Sequence, residues 1–329
     1  MRALFTFSAA SALFLTLARA ELDKPALTSD LDYLLEGNAN SLPTVNSQVA
    51  VWPSGYIPKD CQDLGSGEGY NASEFEVYEV TYDDCADPWL FCRHKDVEVD
   101  IATAAETFSK LPVKVRDWVR QVLLMPGANS AFAINGNVAF FGTTGSNVDV
   151  MIHESAHGLD GFAAFGESFS CTFPFTDPVY PYPRLTENTD LFCVASDGFL
   201  AAYDADTHVP DNYARSSQAE NVAQNTVVAV YDKNVPGGFP GVQEQYTAIL
   251  NQYSYIQDKA GDALLPGGTC DRHLENSETV VLSSSAANTT VSRARRGVAA
   301  RWKVPQSGFK GEYSNIVKEF VPFRFKEEF

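Results

Sequence analysis

Residues 147–165 read NVDVMIHESAHGLDGFAAF, and the fold turns on how this stretch is understood. Val148, Ile152, Ala156 and Leu159 recur at helical intervals, which predicts a helix with one buried stripe. Ala156 and Gly158 leave room for another element to pack closely. Three polar residues, His153, Glu154 and His157, interrupt this core-like helix. His153 and His157 are four apart, so their imidazoles share a face one turn apart, within reach of a common zinc ion. Glu154 is rotated by one position; it is placed to take a proton from a water at that metal rather than to be a ligand. A buried polar trio needs a compensating partner, and a metal supplies one. The bland alternative is a pair of surface histidines flanking a solvated glutamate.

A zinc site that keeps one position open needs a third protein ligand. Six residues beyond His157 stands Ala163, so a third histidine at that spacing, the mark of a metzincin, is excluded. A distant carboxylate remains, and Glu220 in YARSSQAENVAQNTVVAVY (213–231) is the best candidate. On a helix it lines up with Ala223, Val227 and Tyr231 on the apolar face, where an acid needs a partner. Ser217–Glu220 also fits a capping box, in which Glu220 would only satisfy the helix start. Glu187, Asp190 and Asp177 are further candidates. Tyr213, seven residues before Glu220, could donate to an oxyanion formed when water attacks a carbonyl. Asp160, one turn past His157, would orient a histidine from behind or face solvent. His94, His208 and His273 stand alone.

Just upstream, SAFAINGNVAFFG (130–142) places two β-prone runs around Asn135-Gly136, a strong hairpin signal. From Ile101 to Leu124 the residues Phe108, Leu111, Val115, Trp118, Val122 and Leu123 follow a helical spacing that Pro112 divides and Met125-Pro126-Gly127 ends. Residues 21–100, rich in Gly, Pro, Asp and aromatics, predict a loop-rich layer with short strand-like pieces such as Glu74–Thr81. Part of 21–48 could be a propeptide. Downstream, 166–215 reads as loop with a short helical piece near 195–203, and 216–232 as a helix.

The first twenty residues carry a basic start, an apolar middle and Ala18-Arg19-Ala20, the form of a secretory signal peptide. Its removal leaves 22 basic against 42 acidic side chains, a net charge of −20. Such a chain repels nucleic acid and anionic membranes. Cys61, Cys85, Cys92, Cys171, Cys193 and Cys270 make an even number, expected as three disulfides in an extracellular protein. The sequons Asn71-Ala72-Ser73 and Asn288-Thr289-Thr290 agree with that compartment. Residues 277–329 carry net +4 against −24 for 21–276, and this serine-rich, basic tail is expected to be a flexible extension.

HESAHGLD followed by YARSSQAE resembles the catalytic pieces of lethal-factor-like zinc metallopeptidases. The resemblance implies His153, His157 and Glu220 as zinc ligands, Glu154 as general base and Tyr213 as oxyanion stabiliser. It covers two short segments. Separately, VAVWPSGYIPKDC (49–61), DCADPWLFCRHK (84–95) and the HESAH region are similar to the conidiation-specific secreted proteins of filamentous fungi, along most of 48–275. The tail after Ser277 departs from that pattern.

Together these readings predict an α+β, zincin-like metallopeptidase domain over 101–276, disulfide-stabilised. A twisted sheet would carry the 130–142 hairpin near a cleft, with the HExxH helix beneath and Glu220 on a second helix. The expected function is secreted, Zn2+-dependent hydrolysis of a peptide or protein substrate. The rival is a non-catalytic spore-surface or cell-wall protein that retains the fold. Oligomeric state is not legible in the sequence.

Overall fold

The computed structural model describes residues 22–170 and 196–282. Expectations for the signal peptide, Cys171, Cys193, Asp177, Glu187, Asp190, Asn288 and nearly all of the basic tail fall outside them. In chain order the helices are α1 (Leu35–Ser41), α2 (Lys59–Gly67), α3 (Ile101–Ser109), α4 (Val113–Arg116), α5 (Val148–Gly161), α6 (Asp197–Ala205), α7 (Gln218–Asn234) and α8 (Leu250–Ala260). The strands are β1 (Ser47–Val51), β2 (Tyr56–Pro58), β3 (Phe75–Tyr82), β4 (Trp89–His94), β5 (Gln121–Met125), β6 (Ser130–Ile134), β7 (Asn137–Phe141) and β8 (Thr279–Val281). The chain is α+β with disulfides, as expected.

Six strands form one mixed sheet in the order β1-β3-β4-β5-β7-β6. β4, β5 and β7 run parallel in its middle, and β6 pairs antiparallel with β7 at one edge. Alternate residues supply two cores. Phe91, Val122, Leu124, Val138 and Phe140 join the main core with Met151, Ile152 and Val227. Cys92, Leu123, Met125, Ala139 and Phe141 join a smaller one with Ile57 and Cys61. The sheet is therefore covered on both faces, and α5 packs against β6 and α7 on the main-core side.

Several expectations change. Residues 121–124, read as the end of a helix, form β5, whose five residues are all buried. A strand covered on both faces shows a continuous apolar run instead of alternation. Val122 and Leu123 merely happen to continue the spacing set by α3 and α4. The segment expected as a loop-rich layer supplies β1, β3 and β4 of the main sheet, β3 being the strand-like piece expected at Glu74–Thr81, and Leu31, Leu34 and Leu42 of its first part lie in the main core. At the start of the tail, Thr279–Val281 pairs with β2. The hairpin stands as expected, with Asn135 at φ 52° and Gly136 at φ 80°, the left-handed pair that a two-residue turn requires.

Two disulfides join described residues, Cys61–Cys92 and Cys85–Cys270. The first staples α2 to β4; the second ties the β3–β4 turn to the segment after α8.

Candidate metal centre

α5 begins where Asn147 accepts hydrogen bonds from the N–H groups of Asp149 and Val150 through its side chain. Its stripe of Val148, Met151, Ile152 and Leu159 enters the main core. A Cβ on Gly158 would lie 2.7 Å from the carbonyl oxygen of Trp118, so glycine is what lets the helix approach the chain leading into β5. This packing turns His153 and Glu154 inward, each 2 % exposed. His157, one turn on, is more open.

α7 crosses α5 and delivers the third group. Ser217 caps it by accepting from the N–H of Glu220. The reciprocal half of a capping box is not where the Glu220 carboxylate goes: its Oε2 lies 3.0 Å from Nε2 of His153 and 3.3 Å from Nε2 of His157. The two Nε2 atoms are 3.3 Å apart. Three ligands about 2.0–2.1 Å from a tetrahedral ion stand roughly 3.3 Å from one another. The triangle therefore has the dimensions of one face of a zinc coordination shell.

The tautomer of His153 follows from its surroundings. Gln224, one turn beyond Glu220, donates its amide N–H to Asp211 at 2.6 Å, which leaves its carbonyl oxygen to accept from Nδ1–H of His153 at 3.0 Å. With that proton on Nδ1, a neutral His153 points its Nε2 lone pair into the triangle. Asp211 also accepts from the N–H of Ala214, next to Tyr213. One carboxylate thus ties the histidine support to the loop that carries the tyrosine.

Charge in the pocket favours a cation. Burial works against a charged His157, yet Glu220, Glu154 and Asp160 outweigh it and raise its pKa to about 9. Burial would raise Glu220, but the imidazoles of His157 and His153 hold its carboxyl well below the usual range. Burial lifts the Glu154 carboxyl to about 7, with the two histidines opposing and Glu220 assisting. His153, Glu154 and His157 have donor atoms within 4.8 Å of one another. Glu220 sits nearer both imidazoles, which leaves Glu154 beside the triangle with no hydrogen-bond partner for its Oε2 among the described residues. A buried carboxylate oxygen without a partner is costly unless something else meets it. Donor chemistry, spacing and this orphaned oxygen all fit a divalent cation with a polar ligand on its open side.

The Tyr213 ring lies tilted against that of His153, with centroids 5.5 Å apart. Its phenol is raised far above the ordinary value by burial first, then by the charges of Glu220 and Glu154 and a hydrogen bond to Glu220. It therefore remains a proton donor. Asp160 is buried, against the solvent-facing alternative, and accepts from the N–H groups of Phe169 and Ser170. Of the lone histidines, His94 is buried among Tyr70 and Phe75, and His273 packs on Trp89. Sequence reasoning missed Gln224 and Asp211. The i, i+4 step from Glu220 could have flagged Gln224; nothing local marked Asp211.

The family described as conidiation-specific protein Con-13 matches residues 30–312. The chain is similar to conidiation-specific protein 13 of Neurospora crassa, 30% identical over 261 residues, covering 77% of this chain and 69% of that protein. No solved structure gives a significant match.

Proposed function

The chain belongs to the conidiation-specific protein Con-13 family, and we propose that it is a secreted zinc-dependent peptidase with a zincin-like catalytic centre. His153, His157 and Glu220 would hold the ion, which when bound supplies Lewis acidity toward water and the scissile carbonyl. The observation that carries the reading is the convergence of those three donor atoms within 3.3 Å, beside the orphaned Glu154 oxygen.

The remaining chemistry belongs to the chain. Glu154 Oε2 takes the proton of the attacking water as the C–O bond forms and passes it to the leaving amine as the C–N bond breaks. The Tyr213 hydroxyl donates to the oxygen that gains charge in the tetrahedral state. β6, at the end of the sheet and packed against α5, offers an edge along which an extended peptide can add as a further strand. A role of such cleavage in conidiation is the context that the family name suggests.

Glu154→Gln is the test, because it removes the base and keeps its shape. Turnover of a quenched peptide library should fall by at least a hundredfold, with metal content unchanged. Undiminished turnover in the variant would refute the role. Zinc without turnover in the unaltered chain would favour a non-catalytic spore-surface or cell-wall component.

A further inference from the structure

We infer that the segment Leu22–Ser29 is a positioning strap for Tyr213, holding the loop that carries the oxyanion donor; this rests on the peptidase reading. Tyr213 does not stand on a helix or strand. It lies in the connection between α6 and α7, whose regular structure is the single turn Ala214–Ser216. The proposed ligands, in contrast, are fixed by the packing of α5 on α7.

The strap runs along this connection for its whole length. The N–H of Leu22 donates to the carbonyl of Arg215 at 2.7 Å, two residues past the tyrosine. Val209 N–H donates to Pro25 at 3.0 Å, and Leu27 N–H returns to Val209 at 2.8 Å. Ala26 and Val209 form a parallel bridge, and Thr28 N–H reaches Pro210 at 3.2 Å. The Asn212 N–H, next to Tyr213, donates to Ser29 at 3.4 Å. Side chains add to this: the Tyr203 hydroxyl donates to Asp23 at 2.8 Å, Lys24 donates to the carbonyls of Asp204 and Asp206, and its ammonium lies over the Tyr203 ring. Leu22 completes a small apolar cluster of Tyr203, Val209 and Ala214. The buried carboxylate of Asp211 accepts from the N–H of Ala214. The tyrosine is thus held between an outer strap and an inner carboxylate, and a misplacement of about 1 Å in such a group can cost a hundredfold in rate.

The experiment compares the full chain with a variant lacking residues 21–28 and with Leu22→Asp, which spoils the cluster should the deletion not fold. Each is made with and without Tyr213→Phe. Metal content should stay the same, kcat should fall about tenfold or more, and KM should move less than twofold. In the Tyr213→Phe background the strap changes should cost nothing further. Hydrogen exchange should accelerate at the amides of 211–216, with α5 and α7 unaltered. An unchanged kcat, an equal loss in the Tyr213→Phe background or unaltered exchange at 211–216 overturns the strap. If the full chain turns over no peptide, the peptidase reading falls, and the exchange measurement alone decides whether the strap positions this loop.

Discussion

His153 Nε2 can serve as a ligand only while its Nδ1 proton has somewhere to go, and Gln224 supplies that place. Gln224→Leu should weaken zinc binding by about 10–100-fold, the usual cost of losing such a partner, as read by competition with a chelator; unchanged affinity would remove Gln224 from the account. Asp149 offers a different test, through stability. It is buried, and its carboxyl is pushed up to about 7 by burial, against the hydrogen bond from Asn38. Between its ordinary value and about 7 the folded chain keeps a proton that the unfolded chain has released. Stability therefore falls as pH rises through that window and levels off above it. Asp149→Asn keeps the oxygen that Asn38 bonds and removes the charge. It should flatten this slope and stabilise the protein at pH 8 by about 2 kcal/mol, as read by thermal melts across pH; an identical slope would contradict it. At this scale the HESAH residues were legible because their spacing is itself the geometry. Glu220 was legible only as one of two readings, since a capping box and a buried ligand share the same letters. Asp211 was invisible, because its role arises from two elements meeting.

At the scale of elements, α5 depends on the missing side chain at Gly158. A Cβ there would press on the Trp118 carbonyl at 2.7 Å. Gly158→Ala should destabilise by about 1–3 kcal/mol through overpacking, and an unchanged melting temperature would show that the helix has room to shift. The hairpin and helices α5, α6 and α7 were readable from turn chemistry and period. β5 was not, since a strand buried on both faces loses the alternation that marks strands. Its neighbours α3 and α4 happened to set a helical phase that ran into it. β3 was readable as the strand-like piece Glu74–Thr81, whereas β1 and β4 were hidden by the Gly-, Pro- and Asp-rich stretches around them, which dominate the composition of 21–100.

Across the whole molecule, the first part of the chain is structural. Leu34 and Leu42 are almost fully buried in the main core, and Asn38 bonds Asp149 on the proposed catalytic helix. Loss of residues 30–45 as a propeptide would open that core. The Cys85–Cys270 bridge closes a loop of 185 residues, so replacing both cysteines by serine should cost about 5 kcal/mol in the chain-entropy account. Denaturant melts would measure it, and a loss under 1 kcal/mol would mean that the core alone holds the two ends together. The decisive measurement concerns the metal centre itself: anomalous diffraction at the zinc edge from crystals of the purified protein. The expected result is a single peak about 2.0–2.2 Å from Nε2 of His153, Nε2 of His157 and a carboxylate oxygen of Glu220. No peak there from zinc-supplied crystals, or a peak bound by other residues, would contradict the account.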